Sequence, residues 1–500
     1  MPRSTSPRSP ASCEPDLMSP RSTTLFTARF VLPVATEPLE QGALLAVGAR
    51  IKAVGTLNAL SADYPGVPVV DFGDAVLMPP MVNAHTHLEL TSFPAWAAAA
   101  ETGQAGQDFV DWVLSLIKVR RSVSTAQVAD SLAIGLKESM RFGTGAIGDI
   151  CTTLDAIDAF RQTPIYGRVF AEVLGHAADR VADRLQAIER LLGRPPGKAL
   201  GWGLAPHAPY TLSAAALDRV LAFSAARALQ NTIHLAESAD ETRFIKEGQG
   251  SIADKLYPAA QWDPASDPVA GDSPVRALCR AGRLRRNDLV VHGVQVGKAD
   301  IVLLRQTGCH VVLCPRSNAA LQTGKAPVAD YLLGDVPLSL GTDSLASAPS
   351  LSLWDELAFA RSWFAGDAPP RKWLQIATQG GARALHSLPK HYGYMAALWA
   401  LLPAMAVLVL WLVFENGILA RMVVGDLPAS VQEMSSSEQG LYFNQVVSYA
   451  RGATDASMLD AAQIRAAEHY NALVSSSRMI KALLVIGSGK VTLRVTDWKS

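Results

Sequence analysis

The stretch Leu77–Thr91, LMPPMVNAHTHLELT, constrains this chain more than any other. A short apolar, proline-punctuated run leads into His85 and His87, one residue apart. In a β-strand, residues i and i+2 face the same way, so a strand end carrying His-x-His aims two imidazoles at one point. Two such histidines also occur by chance on exposed strands. A metal centre needs more donors downstream, each delivered at a comparable place. They follow in order: His234 in HLAES with Glu237 three residues on, His292 in VVHGV, and Asp343 in LGTDS.

The segments carrying these residues define the fold. From Met78 to about Leu385, strand-like runs alternate with amphipathic helical ones such as residues 214–229. The strand candidates are 145–150, 167–175, 200–207, 231–238, 288–294, 310–315 and 337–344. With the His-x-His strand they make eight βα units, the count of a parallel (β/α)8 TIM barrel. The polar candidates sit at or near the C-terminal ends of their strands, where such barrels place their chemistry. Residues 25–79 alternate apolar and polar residues between Gly and Pro breaks, which predicts a small unit of short β-strands ahead of the barrel at 80–385; the family resemblance given below makes it part of a β-sandwich. Residues 1–24, rich in Arg, Ser and Pro without an apolar core of signal-peptide length, predict a disordered tail.

After Leu385 the character changes. Residues 395–414, MAALWALLPAMAVLVLWLVF, carry no charge and match the length of one transmembrane helix; a buried core helix is the plain alternative. With no export signal ahead of a large domain, the N-terminal side is expected to stay inside. The junction and span occupy 386–420, and 421–500 predict a polar helical segment. Met479–Gly487 is apolar but too short to span. A formal net charge of +0 gives nucleic-acid binding no support. Five scattered cysteines give no disulfide framework, and Cys309 and Cys314 read as core.

Three imidazoles and a carboxylate form a donor set suited to zinc or iron(II). A ligated water would have its pKa lowered towards ~7. Glu237 is placed to take a proton from that water and pass it to a substrate, and His292 to hold the hydroxide or polarise the leaving group. Each residue has a plainer role open to it. His234 or His292 could be hydrogen-bonded structural residues, Asp343 an Asx-turn, and Glu237 a helix cap. Their joint order favours a metal-dependent hydrolase.

Residues ~25–385 resemble the amidohydrolase superfamily, in its purine- and pyrimidine-type deaminase and chlorohydrolase branch. The pieces that carry the resemblance are PPMVNAHTHLEL, APHAPYTLS, HLAESADE, VVHGVQV, CPRSNAAL, LGTDSLAS and ATQGGARAL. It implies that His85, His87, His234 and Asp343 ligate one divalent metal, zinc before iron. It implies that Glu237 is the proton shuttle, that His292 and Asp343 position the attacking water, and that His207 touches substrate, the plain alternative for His207 being a loop histidine held between prolines. NAHTHLEL followed by FVDWVLSLIKVRR is most similar to aminodeoxyfutalosine deaminases, which remove ammonia from a 6-aminopurine nucleoside in menaquinone synthesis. S-adenosylhomocysteine or methylthioadenosine deaminases and triazine-type chlorohydrolases are the alternatives. Glu89 and Arg168 become candidates for the substrate's sugar or carboxylate; a surface charge and an ion pair with Glu172 are their plain alternatives.

The family normally continues after ATQGGARAL with strands that complete the small sandwich. Here HSLPKHYGYMAALW follows instead, so an unpaired sheet edge and exposed apolar surface are expected. Residues from about 391 to 481 resemble the N-terminal region of PstC-type phosphate ABC-transporter permeases, without the conducting core. Two readings follow. One is a deaminase tethered to the bacterial inner membrane through 395–414 with its catalytic domain cytoplasmic. The other is a non-functional fusion, cytoplasmic if the C-terminal part is adventitious.

Overall fold

The computed structural model describes residues 22–48, 50–100, 108–263, 270–385, 415, 417–425 and 427–477. The chain divides into two compact units, residues 1–387 and 388–500.

In the first unit, five short strands precede the barrel: β1 (Thr23–Val31), β2 (Leu39–Val47), β3 (Arg50–Thr56), β4 (Val69–Asp71) and β5 (Val76–Leu77). They form one mixed sheet in the order β3-β2-β1-β4, with β5 also paired to β1. Leu25, Ala43 and Leu45 pack with Leu60 of the helix Leu57–Asp63, which Thr56 caps through its hydroxyl. Among the described residues the sandwich is therefore a single sheet. Ile51 stays 64% exposed, with Val76, Phe72 and Val69 each about half exposed. Among the described residues, this face of the small sheet is therefore an exposed apolar surface.

Eight parallel strands follow: β6 (Met81–Thr86), β7 (Thr144–Cys151), β8 (Tyr166–Val173), β9 (Leu200–Pro206), β10 (Thr232–Leu235), β11 (Leu289–His292), β12 (His310–Leu313) and β13 (Leu338–Leu340). They pair as β6-β7-β8-β9 and β10-β11-β12-β13, and the bridges Leu204↔Asn231 and Thr86↔Asp343 join the two sheets at both seams. The ring closes as a TIM-type barrel. Cys309 and Cys314 lie fully buried in it.

Local sequence explains the outer helices. Ser124 and Gln127 form a reciprocal capping box at the start of Thr125–Arg141. Ala178–Leu192 buries Val181, Leu185 and Ile188, one stripe at helical spacing. The closing stretch Gly381–Leu385 runs against β6, where a Cβ on Gly381 would meet the Val82 Cβ at 2.6 Å. Ala384 and Leu385 then join the cluster of Val82, Ile150, Phe170, Leu289 and Val312 drawn from strands around the ring.

His310, at the start of β12, gives this core a pH dependence. Burial pushes its imidazole down to about 4 from an ordinary 6.5. Between those values the unfolded chain binds a proton that the folded chain does not. The contribution is complete above pH 6.5 and is lost as pH falls through about 4, in total about 3 kcal/mol. Denaturant titration of wild type and His310→Leu across that window should show a steeper loss of stability on acidification for the wild type; equal slopes would remove His310 from this role.

In the second unit, residues 417–425, Ala429–Gln432, Ser436–Ala450 and 461–477 are helical. Leu419, Val423, Leu427, Val431, Val446 and Ala467 share its small core. The expected tail lies outside the described residues up to residue 21, as do the expected span at 395–414 and the apolar segment Met479–Gly487. Among the described residues, no helix is long and apolar enough to cross a membrane.

Candidate metal centre and active site

Four strands deliver the candidate side chains to one rim. His85 lies in β6, with His87 just beyond it; His234 lies in β10, His292 ends β11 and Asp343 follows β13. His85, His234 and His292 offer ring nitrogens within 4.8 Å of one another, and His85, His87 and Asp343 form a second such group. Asp343 Oδ1 is 3.5 Å from Nε2 of both His85 and His87. His85 is completely buried, yet neither of its ring nitrogens has a hydrogen-bond partner. Polar atoms so placed are costly unless something occupies the space between them. A divalent cation fits that requirement and this N/O donor set.

Each ligand candidate is aimed by a named neighbour. The His207 carbonyl accepts from His234 Nδ1 at 2.9 Å, which leaves Nε2 as the free lone pair. His292 Nδ1 lies 2.8 Å from Asn318 Oδ1, which puts the proton on Nδ1 and turns Nε2 towards Glu237 Oε1 at 3.4 Å. Ser317 and Ser347 hydroxyls donate to Asp343 Oδ2 at 2.6 and 2.9 Å, keeping Oδ1 for the histidines. Asn83 and Thr342 exchange two hydrogen bonds across the β6–β13 seam. A Cβ on Gly341 would meet the His85 carbonyl at 2.7 Å, so glycine lets that strand approach the ligand strand.

Strain gathers here as well. Ala236, His292 and Asp343 adopt φ of 53, 71 and 58°, the left-handed region that non-glycine residues rarely use. At Ala236 the turn is held by Glu241, whose carboxylate accepts from the N–H of Ala236 and of Glu237. Ser238, rather than Glu237, caps the next helix, so the carboxylate of Glu237 stays free for the site.

Electrostatics favour a ligand-competent state. Burial lowers the pKa of His85, His234 and His292, and brings His87 to about 4, so the imidazoles are neutral donors. Burial would raise the Asp343 carboxyl, but its contact with His85 and the surrounding imidazoles hold it well below the usual carboxylate range. Burial, followed by the Asp343 charge, pushes the Glu237 carboxyl well above its ordinary value. The two carboxyls are pushed in opposite directions, Asp343 towards its ionised form and Glu237 towards its protonated one, which suits them to different roles in acid–base chemistry.

The rim opens into a cavity of about 270 Å³. His87, His207, His234, Glu237, His292 and Asp343 line its base; Phe109, Trp112, Leu116 and Ile117 of the helix Phe109–Arg121 form an apolar wall. Glu89 also lines it, but as a residue 2% exposed whose Oε2 accepts from the Thr153 N–H at 3.0 Å. It is not a surface charge.

Arg168 is a correction. It sits near the start of β8 and donates to the Leu385 and Trp202 carbonyls, both at 2.9 Å. Glu172, four residues on, lines the cavity at the opposite end of the strand. The structure therefore does not bring Arg168 to the site. Ser317, Asn318, Ser347 and Glu241 reach the site residues without having been singled out, although CPRSNAAL and HLAESADE contain three of them.

The profile of the Amidohydrolase family matches residues 76–397. The chain belongs to that family. The amidohydrolase barrel is 31% identical over 359 residues to the aminodeoxyfutalosine deaminase of Deinococcus radiodurans, covering 69% of this chain and 81% of that one. It is 30% identical over 362 residues to a 5-methylthioadenosine/S-adenosylhomocysteine deaminase of Nitratidesulfovibrio vulgaris, covering 70% and 75%. The aminofutalosine deaminase of Helicobacter pylori, solved with methylthio-coformycin, shares the fold at a TM-score of 0.63 and 21% identity, over 72% of this chain and 87% of that one. A profile described as Phosphate ATP-binding cassette transporter matches residues 371–488. The amidohydrolase chain is thus a hydrolase acting on carbon–nitrogen bonds.

Proposed function

We propose that the barrel is a metal-dependent hydrolytic deaminase of an adenosine-type nucleoside, with aminodeoxyfutalosine as its substrate. The observation that carries this is the convergence of His85, His87, His234, His292 and Asp343 on one buried point, with Glu237 Oε1 3.4 Å from His292 Nε2. His85, His87, His234 and Asp343 would hold a divalent cation, zinc before iron. When bound, the cation supplies Lewis-acid activation that lowers the pKa of water from 15.7 towards ~7.

Glu237 takes a proton from the attacking water and passes it to the ring nitrogen beside the amino-bearing carbon. His292 Nε2, fixed by the Asn318 contact at Nδ1, orients the attacking oxygen. Water adds to the ring carbon, the remaining hydroxyl proton passes through Glu237 to the amino group, the carbon–nitrogen bond breaks, and ammonia leaves behind a 6-oxo product. His207 and Glu89 contribute to substrate contact from the cavity walls. The apolar wall from Phe109 to Ile117 favours a nucleoside with a large apolar 5′ substituent, which is why aminodeoxyfutalosine stands ahead of 5′-methylthioadenosine and S-adenosylhomocysteine. Offered all three, the metal-loaded protein should release ammonia fastest from aminodeoxyfutalosine; ammonia from none of them would overturn the deaminase assignment.

A second reading concerns the chain as a whole. The exposed face of the small sheet and the transporter-type match at 371–488 favour a junction between two once-separate genes. A tether through 395–414 predicts that the intact protein fractionates with membranes and resists an alkaline wash. Two separate transcripts would leave the tether without a basis.

A further inference from the structure

Among the acidic residues lining the cavity, Glu172 is the one the proposed chemistry leaves unused. It lies near the C-terminal end of β8 and is 4% exposed. Its Oε2 accepts a hydrogen bond from the Thr152 hydroxyl at 2.6 Å. Its Oε1 is buried and has no hydrogen-bond partner, although the residue lines the cavity. A carboxylate oxygen held in that way needs a donor, and the donor must come from whatever fills the cavity.

The neighbouring imidazole narrows the identity of that donor. The Thr211 hydroxyl gives its one proton to the Ala208 carbonyl at 3.0 Å, so at 3.0 Å from His207 Nδ1 it accepts. The proton of His207 is then on Nδ1, and Nε2 is an acceptor. That nitrogen lies 4.0 Å from Glu172 Oε1. Two acceptors side by side at one wall match a ligand offering two adjacent donors. Glu89, the other acid of this wall, already has Oε2 committed to the Thr153 N–H.

We infer that Glu172, with His207 beside it, reads a vicinal diol, so that the pocket selects ribonucleosides over their deoxy counterparts. This rests on the nucleoside reading above and adds the residue that reads the sugar. Glu172 would be a binding and specificity residue and would take no part in proton transfer. Glutamine is the informative replacement. The Thr152 hydroxyl needs an oxygen to donate to, so the Glu172→Gln amide oxygen stays there and its NH2 group replaces Oε1. A donor then faces donors.

The experiment compares 5′-methylthioadenosine with its 2′,3′-dideoxy counterpart on metal-loaded, full-length protein. Ammonia release gives kcat/KM, and calorimetry gives binding independently of turnover. Wild type should favour the ribonucleoside by roughly 10- to 100-fold, the range of a hydrogen bond to a charged acceptor. Glu172→Gln should collapse that ratio by lowering the ribonucleoside value alone, with metal content unchanged. A wild type that treats the two alike would overturn the inference whatever the variant does, as would a variant that weakens both equally. Binding with the expected ratio but no ammonia would instead count against the deaminase reading and leave the sugar contact standing.

Discussion

Replacing Glu237 by glutamine is expected to lower kcat by about 10²- to 10⁴-fold, the usual contribution of a positioned acid–base group, while metal content stays at the wild-type level. The two expectations separate because Glu237 meets the cluster only through His292, at 3.4 Å, whereas Asp343 lies between His85 and His87. The glutamine keeps the shape, and its backbone N–H remains anchored on Glu241. It cannot accept the water's proton. In the wild type the acid limb of the pH–rate profile should lie above the ordinary carboxylate value of ~4.3, because burial and then the charge of Asp343 push the Glu237 carboxyl up. Activity that requires the ionised form therefore rises with pH through that limb. Steady-state ammonia release with elemental analysis on the same samples checks both halves. Retained turnover would remove Glu237 from its role.

Asp343→Ala should act at the other level and abolish metal binding itself. Its carboxylate is the one anionic member of the proposed ligand set, and it anchors four contacts at once: two imidazoles through Oδ1 and two serine hydroxyls through Oδ2. Removing it deprives the buried Ser317 and Ser347 hydroxyls of their shortest hydrogen bonds, leaving Ser317 the Ser347 hydroxyl at 2.9 Å and Ser347 the Ser344 carbonyl at 3.4 Å, at a cost of about 1–3 kcal/mol in stability. Without the cation, the pKa of water returns towards ~15.7, so turnover should fall by more than about 10³-fold. Adding zinc back should not restore it. Full metal occupancy in Asp343→Ala, or rescue by excess zinc, would show that the ligand set is drawn wrongly.

The barrel was legible because parallel strands buried on both faces read as short apolar runs. Three of the runs here lead into a residue that such burial would otherwise exclude. His234 after TI, His292 after LVV and Asp343 after LSLGT stand out for that reason, and all converge. What escaped were residues whose role depends on a partner far along the chain. Ser317 and Asn318 act on Asp343 and His292 across 26 residues, and nothing local in PRSN reveals which atom each will hold. Arg168 and Glu172 make the same point from one strand. Both belong to GRVFAEV, but the strand carries the arginine to the end that Leu385 closes and the glutamate to the end that opens into the cavity. Resemblance brought attention to the strand without saying which of its ends faces substrate.

The small domain is a different case, since among the described residues it is a single sheet with Ile51 and Phe72 exposed. Whether such a barrel still assembles its centre is the point on which the whole account turns. Elemental analysis of the purified full-length chain tests it most directly. The account predicts about one zinc or iron per chain, lost in Asp343→Ala and kept in Glu237→Gln. A wild-type chain without bound metal, even after reconstitution, would contradict it, and the strand-end histidines would then mark descent from a deaminase rather than a working one.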